Sequence, residues 1–282
     1  MKIGSYEVSL IEAGDFRLDG GAMFGVVPKV LWNRTNPADE HNRIEMTMRG
    51  LLIEGNGRKI LVDAGSGDKE GERFADIYAV DFGKNTLTKS LSENGLKPDD
   101  ITDVIYTHLH FDHAGGTTRL DGKHSVPTFP NARHYVQRRH WDHALNPTER
   151  DKASFLPPNY MPVHEAGLLD LVDGDTEIFP GIELISLDGH TPAMQSARVF
   201  DGDSALWFAT DLLPMSAHVP LPYIMGYDLF PMTTLAEKKR LLPRAVDENW
   251  IVAYQHDPHV PASRIIRNER GQFQRGETVE IK

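Results

Sequence analysis

The chain has no cysteine among its 282 residues, which removes disulfides, thiolate nucleophiles and thiolate metal ligands together. Any metal must therefore be held by nitrogen and oxygen. Basic residues are in deficit, 30 Lys+Arg against 41 Asp+Glu, for a formal charge of -11. A surface of that sign repels phosphate, so neither nucleic acid nor a membrane is an expected partner, and a small-molecule substrate is. No uninterrupted apolar run approaches membrane-spanning length. The start, MKIGSYEVSLIEAGDF, shows no basic segment followed by an apolar one, and a cytoplasmic location is the expectation. Repeats, low-complexity tracts and Gly/Pro/Ser-rich linkers are also lacking, so residues 1–282 read as a single domain. The 40% hydrophobic content is ample for its core.

What is present has the grammar of strands interrupted by helices. YEVSLIEAG alternates as a half-buried strand, and GLLIEGNGRKILVDAG reads as two strands turning at Gly55-Asn56-Gly57. Leu87, Leu91 and Leu96 fall near helical spacing with a stop at Asn94-Gly95, and ITDVIYT follows as a buried strand. In the second half, ARHYVQ predicts a strand, RRHWDHALN a short helix, TEIFPGIELISLDGH paired strands and SARVFDGDSALWFATD a hairpin. TTLAEKKRLLPRAV predicts an amphipathic helix opened by Thr233 or Thr234, with Pro243 costing or ending it, before the strand NWIVAYQHD. Two long loops are expected, residues 16–43 and residues 214–231, and loops of that length are usually functional or mobile.

The ten residues THLHFDHAGG, 107–116, place three histidines and an aspartate within six positions. His108 and His110 are two apart on a chain leaving a strand, so both side chains point one way and can share an ion. Asp112 and His113 follow where the chain turns at Gly115-Gly116, and they can face a second ion. Further ligands should come from other strand ends: ELISLDGH offers His190, ALWFATD offers Asp211 and WIVAYQH offers His256. That assigns His108, His110 and His190 to one ion and Asp112, His113 and His256 to the other, with Asp211 as the bridge. Imidazole and carboxylate suit two divalent ions, zinc first, with iron, manganese or cobalt as alternatives. His256 is preferred over the nearby His259 for its place at a strand end. Asp63, at the end of ILVDAG, also ends a strand near the expected site edge, where a turn residue is an equal reading, and it is not counted as a ligand. His41, His124, His134, His140, His143, His164 and His218 read as surface or packing residues, with His218 worth watching for its place in the second long loop.

In their order along the chain, THLHFDHAGG, GHTPAMQS, FATD and AYQHD resemble the metallo-β-lactamase fold superfamily of hydrolases. The resemblance covers nearly the whole chain. It implies an α+β fold, a four-layer αββα sandwich with a dinuclear site at one edge, and the same ligand set. It also implies the chemistry: a bridging hydroxide attacks a carbonyl or phosphoryl centre, while Asp112 orients it and relays a proton.

Departures from the pattern narrow the branch. Secreted zinc β-lactamases use a cysteine ligand or lack the bridging aspartate, glyoxalase II enzymes carry a longer C-terminal extension than the 26 residues after His256, and nuclease branches bring basic surfaces or inserted domains. A lactonase or carboxylic-ester hydrolase of small apolar-chain substrates is left as the expectation, with quorum-quenching acyl homoserine lactonases as the nearest type. Organophosphate hydrolases and an iron-dependent persulfide dioxygenase are the alternatives. Met23, Phe24, Val26, Val27 and Leu31 in the first loop are expected to wall an apolar cleft. Many acyl homoserine lactonases carry a tyrosine three residues after the bridging aspartate, whereas Asp211 here precedes Leu212, Leu213 and Pro214. Tyr223 or Tyr227 is the expected replacement donor. A homodimer is one option for the chain's assembly.

Overall fold

The computed structural model describes residues 1–281, which divide into two compact units: Met1–Asp15 with Met48–Gly174, and Phe16–Thr47 with Asp175–Ile281. The first unit is built on a mixed seven-stranded sheet. Its strands are β1 (Lys2–Ile3), β2 (Tyr6–Asp19), β3 (Arg43–Gly55), β4 (Arg58–Val62) and β5 (Asp103–Ile105), then β8 (Arg133–Gln137) and β9 (Leu169–Val172), in that spatial order. A small hairpin, β6 (Thr118–Asp121) with β7 (His124–Pro127), stands apart from it. β3 and β4 meet in the expected two-residue turn, with Gly55 opposite Arg58 and both Asn56 and Gly57 at positive φ. From β4 onward the pairs are parallel, and each return requires a crossover. The helices Glu72–Tyr78 and Leu87–Glu93 lie in the first crossover and Arg138–Leu145 in the last. Leu91 is buried with Leu52, Leu61 and Val104, and Trp141 with Val136 and Tyr106.

The second unit carries β10 (Thr176–Phe179), β11 (Ile182–Leu187), β12 (Met194–Asp201), β13 (Ser204–Phe208), β14 (Ile251–Ala253), β15 (Ala262–Arg267) and β16 (Phe273–Thr278) in sequential order. All neighbours are antiparallel except β13 and β14, whose crossover contains the helix Pro231–Asp247. That helix starts two residues earlier than the sequence suggests. Pro231 takes the first helical position, where its missing N–H costs nothing, and no side chain caps the start. Thr233 and Thr234 are therefore inside the helix. Pro243 does not end it: Leu241, Leu242 and Ala245 pack into a buried cluster with Trp207, Trp250, Val252 and Tyr254, and this burial offsets the lost backbone bond.

Residues 16–43 are more ordered than a loop. β2 runs on to Asp19, and two short helices follow, Gly20–Phe24 and Lys29–Trp32. Met23, Phe24 and Val27 are buried, whereas Val26 is 91% exposed and Leu31 is 43% exposed. The expected apolar group thus splits: three of its members pack inward and two face outward. Among the described residues no helix is long and apolar enough to cross a membrane.

One buried histidine ties this architecture to pH. His134, on β8, is fully buried beside the Tyr106 ring, and burial pushes its conjugate acid down to about 4 while the Ala132 carbonyl pulls the other way. The unfolded chain binds a proton below about 6.5 that the folded chain refuses, so His134 costs stability progressively as pH falls. Between pH 7 and pH 5, metal-free wild type is expected to lose about 2 kcal/mol more stability than H134L, measured by urea titration.

Candidate metal centre

Within each unit the polar residues follow the carboxyl ends of strands that run in the same sense in that unit's own sheet. In the second unit Phe208 pairs with Ala253 at the ends of β13 and β14, and Asp211 and His256 each lie three residues further on. β11 runs parallel in sense to β13, being two antiparallel steps away, and His190 lies three residues past its end. Equal overhangs from aligned strands bring the three side chains to one level. His190 Nε2 is 3.1 Å from one Asp211 carboxylate oxygen, and His256 Nε2 is 3.1 Å from the other. All three residues are buried. His259 is exposed, so of the two candidates it is His256 that faces Asp211.

The opposite nitrogens decide what these rings can bind. His190 Nδ1 lies 2.9 Å from the Asp228 carboxylate, and His256 Nδ1 lies 2.9 Å from the Thr47 carbonyl. Both oxygens only accept, so both Nδ1 atoms donate, and each ring turns its Nε2 toward Asp211. Two imidazole nitrogens converging on one carboxylate are a donor set that fits a divalent ion.

The first unit repeats the arrangement. Val62 pairs with Ile105 at the ends of β4 and β5, so Asp63, one residue past β4, and Thr107, two residues past β5, meet. The Asp63 carboxylate accepts from the Thr107 backbone N–H at 2.8 Å, from Thr107 Oγ1 at 2.7 Å and from His113 Nδ1 at 3.0 Å. Because the Thr107 hydroxyl spends its proton on Asp63, its oxygen accepts from His108 Nδ1 at 3.1 Å. His108 and His113 therefore present Nε2 lone pairs as well. His108 Nε2 lies 3.0 Å from His110 Nδ1, and His113 Nε2 lies 3.6 Å from Asp112. Nitrogens at that spacing again fit a cation.

Local backbone geometry makes these placements costly. Asp63 (φ 58) and Thr210 (φ 45) occupy the left-handed region, where a β-branched residue such as Thr210 is a genuine outlier. Strain of about 1–3 kcal/mol per residue typically gathers where a functional geometry needs it. The glycines of the opening motif permit close approach: a Cβ on Gly115 or Gly116 would overlap the backbone oxygens of Ser66 or Ala64.

Several neighbours escape a reading based on motifs. Asp228 lies in a Pro-rich segment with no strand end to mark it, and only the structure shows it holding His190. His140, expected at the surface or in packing, is buried and accepts the Leu109 N–H at 2.8 Å within the motif. Phe74 meets Phe111 edge-on and Tyr78 meets it tilted, at centroid distances of 4.9 and 4.7 Å. Burial, followed by the Asp112 charge, raises the Tyr78 phenol above its ordinary value. Spacing at i and i+4 in Glu72–Tyr78 is the signal that could have found this pair. Tyr223 is half-buried, edge-on to Phe24, and Tyr227 is 40% exposed.

Removing Asp63 leaves three buried donors without their acceptor. D63A is expected to lose about 3 kcal/mol or more in metal-free protein, measured by chemical denaturation. A D63A protein of wild-type stability would contradict this account of Asp63.

Comparisons with known proteins agree with the geometry. The family model for the metallo-beta-lactamase superfamily matches residues 51–256. An N-acyl homoserine lactonase of Bacillus thuringiensis is 30% identical over 178 residues, which are 62% of this chain. The chain spans 63% of the length of that relative. The structure of a probable metal-dependent hydrolase from Staphylococcus aureus is 29% identical with a TM-score of 0.89, covering 99% of this chain and all of that one. AidC, a dizinc quorum-quenching lactonase, shares the fold at 20% identity and a TM-score of 0.82, covering 100% of this chain and 97% of that one. Motif order, strand-end geometry and a family match across most of the length agree, and the chain belongs to the metallo-beta-lactamase superfamily.

Proposed function

We propose that the chain is a metal-dependent hydrolase of small lactones or esters with an apolar chain. In this reading His108, His110 and His190 hold one divalent ion, Asp112, His113 and His256 hold a second, Asp211 serves both, and residues 1–282 act as one functional domain. The observation that carries it is the common orientation of the imidazoles. His108, His113, His190 and His256 each have Nδ1 committed to an oxygen acceptor, which leaves Nε2 for an ion. Zinc suits these ligands, and the dizinc lactonase of the same fold supports that choice. Such ions would supply Lewis-acid polarisation and a nucleophile usable at neutral pH.

The chain's own residues do the rest. In this reading Asp112, buried at 7% exposure, takes the proton of the attacking water on its carboxylate and passes it to the leaving oxygen. Phe74, Tyr78 and Phe111 form an aromatic group beside Asp112 that suits an acyl chain. Tyr223 and Tyr227 are the proposed donors to the substrate carbonyl, in place of the tyrosine that Leu212-Leu213-Pro214 cannot supply. The acyl homoserine lactonase relatives support a lactone as substrate.

Three outcomes are expected. Chelation abolishes lactone hydrolysis and zinc restores it, followed by pH-stat titration; activity that survives complete metal removal contradicts the reading. D211A and H108A reduce kcat/KM by at least about 1,000-fold through lost metal, measured together with metal content. Y223F or Y227F lowers turnover about 10-fold, the scale of one lost hydrogen bond in the transition state; wild-type rates in both variants remove the tyrosine role. A panel of lactones, aryl esters and phosphotriesters ranks the substrate classes.

A further inference from the structure

The helix Pro231–Asp247 carries three polar side chains that no ligand role explains. Thr234, Glu237 and Lys238 occupy positions i, i+3 and i+4, hence one face, and all three are buried, Lys238 completely. Burying an ammonium costs several kcal/mol unless its hydrogens are met by acceptors. Lys238 Nζ lies 2.6, 2.8 and 2.9 Å from the carbonyl oxygens of His218, Pro220 and Tyr223, and 3.4 Å from that of Leu221. Three donors are matched by three close oxygens, and the fourth is shared.

Those carbonyls belong to a segment, His218 to Tyr223, that cannot organise itself as a ladder, since Pro220 and Pro222 lack an N–H. The ammonium gathers it from inside. Five residues further along lies Asp228, which holds His190 Nδ1 through one oxygen and accepts from Thr234 Oγ1 at 2.7 Å through the other. On the other side of His190, Glu237 accepts from the backbone N–H groups of Asp188 at 2.6 Å and Gly189 at 3.2 Å. One helical face thus grips both chain segments that converge on one histidine.

We propose that Lys238 is a positioning residue for His190. By fixing the course of residues 218–223 it sets where Asp228 meets the imidazole, while Thr234 and Glu237 complete the bracket. The inference rests on the metal-site reading above, because His190 is taken there as a ligand. It assigns to a buried cation on the helix a task that reaches His190 without touching it.

The test uses full-length K238M beside wild type, with L91A, in the core of the first unit, as a variant that loses stability elsewhere. Each protein is loaded with cobalt(II), its ligand-field spectrum recorded, and its metal affinity measured against a chelator. K238M is expected to fold, to hold metal about 10- to 100-fold more weakly and to show shifted bands, while L91A shows neither change. If K238M does not fold, K238Q, with two N–H donors and no charge, is read in the same way. Wild-type affinity and spectrum in the lysine variant overturn the proposal, as does an equal change in L91A, which would mark a general loss of stability. Wild-type protein that takes up no metal overturns the metal-site reading and this proposal together, so the two failures are distinguishable.

Discussion

An imidazole binds a metal through one nitrogen only when the other is told where to keep its proton, and the proposed metal centre depends on that constraint. Four rings have their Nδ1 atoms settled by four different oxygens: the Thr107 hydroxyl for His108, the Asp63 carboxylate for His113, the Asp228 carboxylate for His190 and the Thr47 carbonyl for His256. The acceptors differ in kind: two carboxylates, one hydroxyl and one backbone carbonyl. What they share is the outcome, an Nε2 atom left on the far side of each ring.

Strand alignment produces this placement cheaply. Parallel pairing fixes Phe208 against Ala253 in one sheet and Val62 against Ile105 in the other, and within each sheet short overhangs past the pair carry its polar residues together. Ligand sites outside the carboxyl ends of parallel strands follow the same geometric logic in other sheets. The expense appears at the turns, where Asp63 and Thr210 hold positive φ. Buried hydrogen bonds offset it, three to Asp63 and one from Thr210 Oγ1 to Gln255 at 3.1 Å.

Much of this was legible in the sequence, for physical reasons. Apolar runs ending in His or Asp mark buried strands whose tips must be polar, and that pattern located His108, His190, Asp211 and His256 without any contact information. Alternation and the Asn-Gly turn located β2, β3 and β4. Other features were hidden because their logic is tertiary. Pro231 rather than a threonine opens the long helix, since Thr234 is engaged by Asp228. Met23, Phe24 and Val27 are apolar for packing, whereas Val26 and Leu31 are apolar and exposed, and hydrophobicity alone does not separate the two. Asp228 follows no strand end and Lys238 sits among charged helix residues, and only the fold reveals that each is buried against a specific partner.

The central claim is that His108, His110, Asp112, His113, His190, Asp211 and His256 together hold two divalent ions. Anomalous diffraction from crystals of the zinc-loaded protein, recorded on both sides of the zinc absorption edge, tests it most directly. The account predicts two adjacent peaks, each within bonding distance, about 2.0–2.2 Å, of the nitrogens and oxygens assigned to it. A single peak, or peaks bound by other residues, would contradict it.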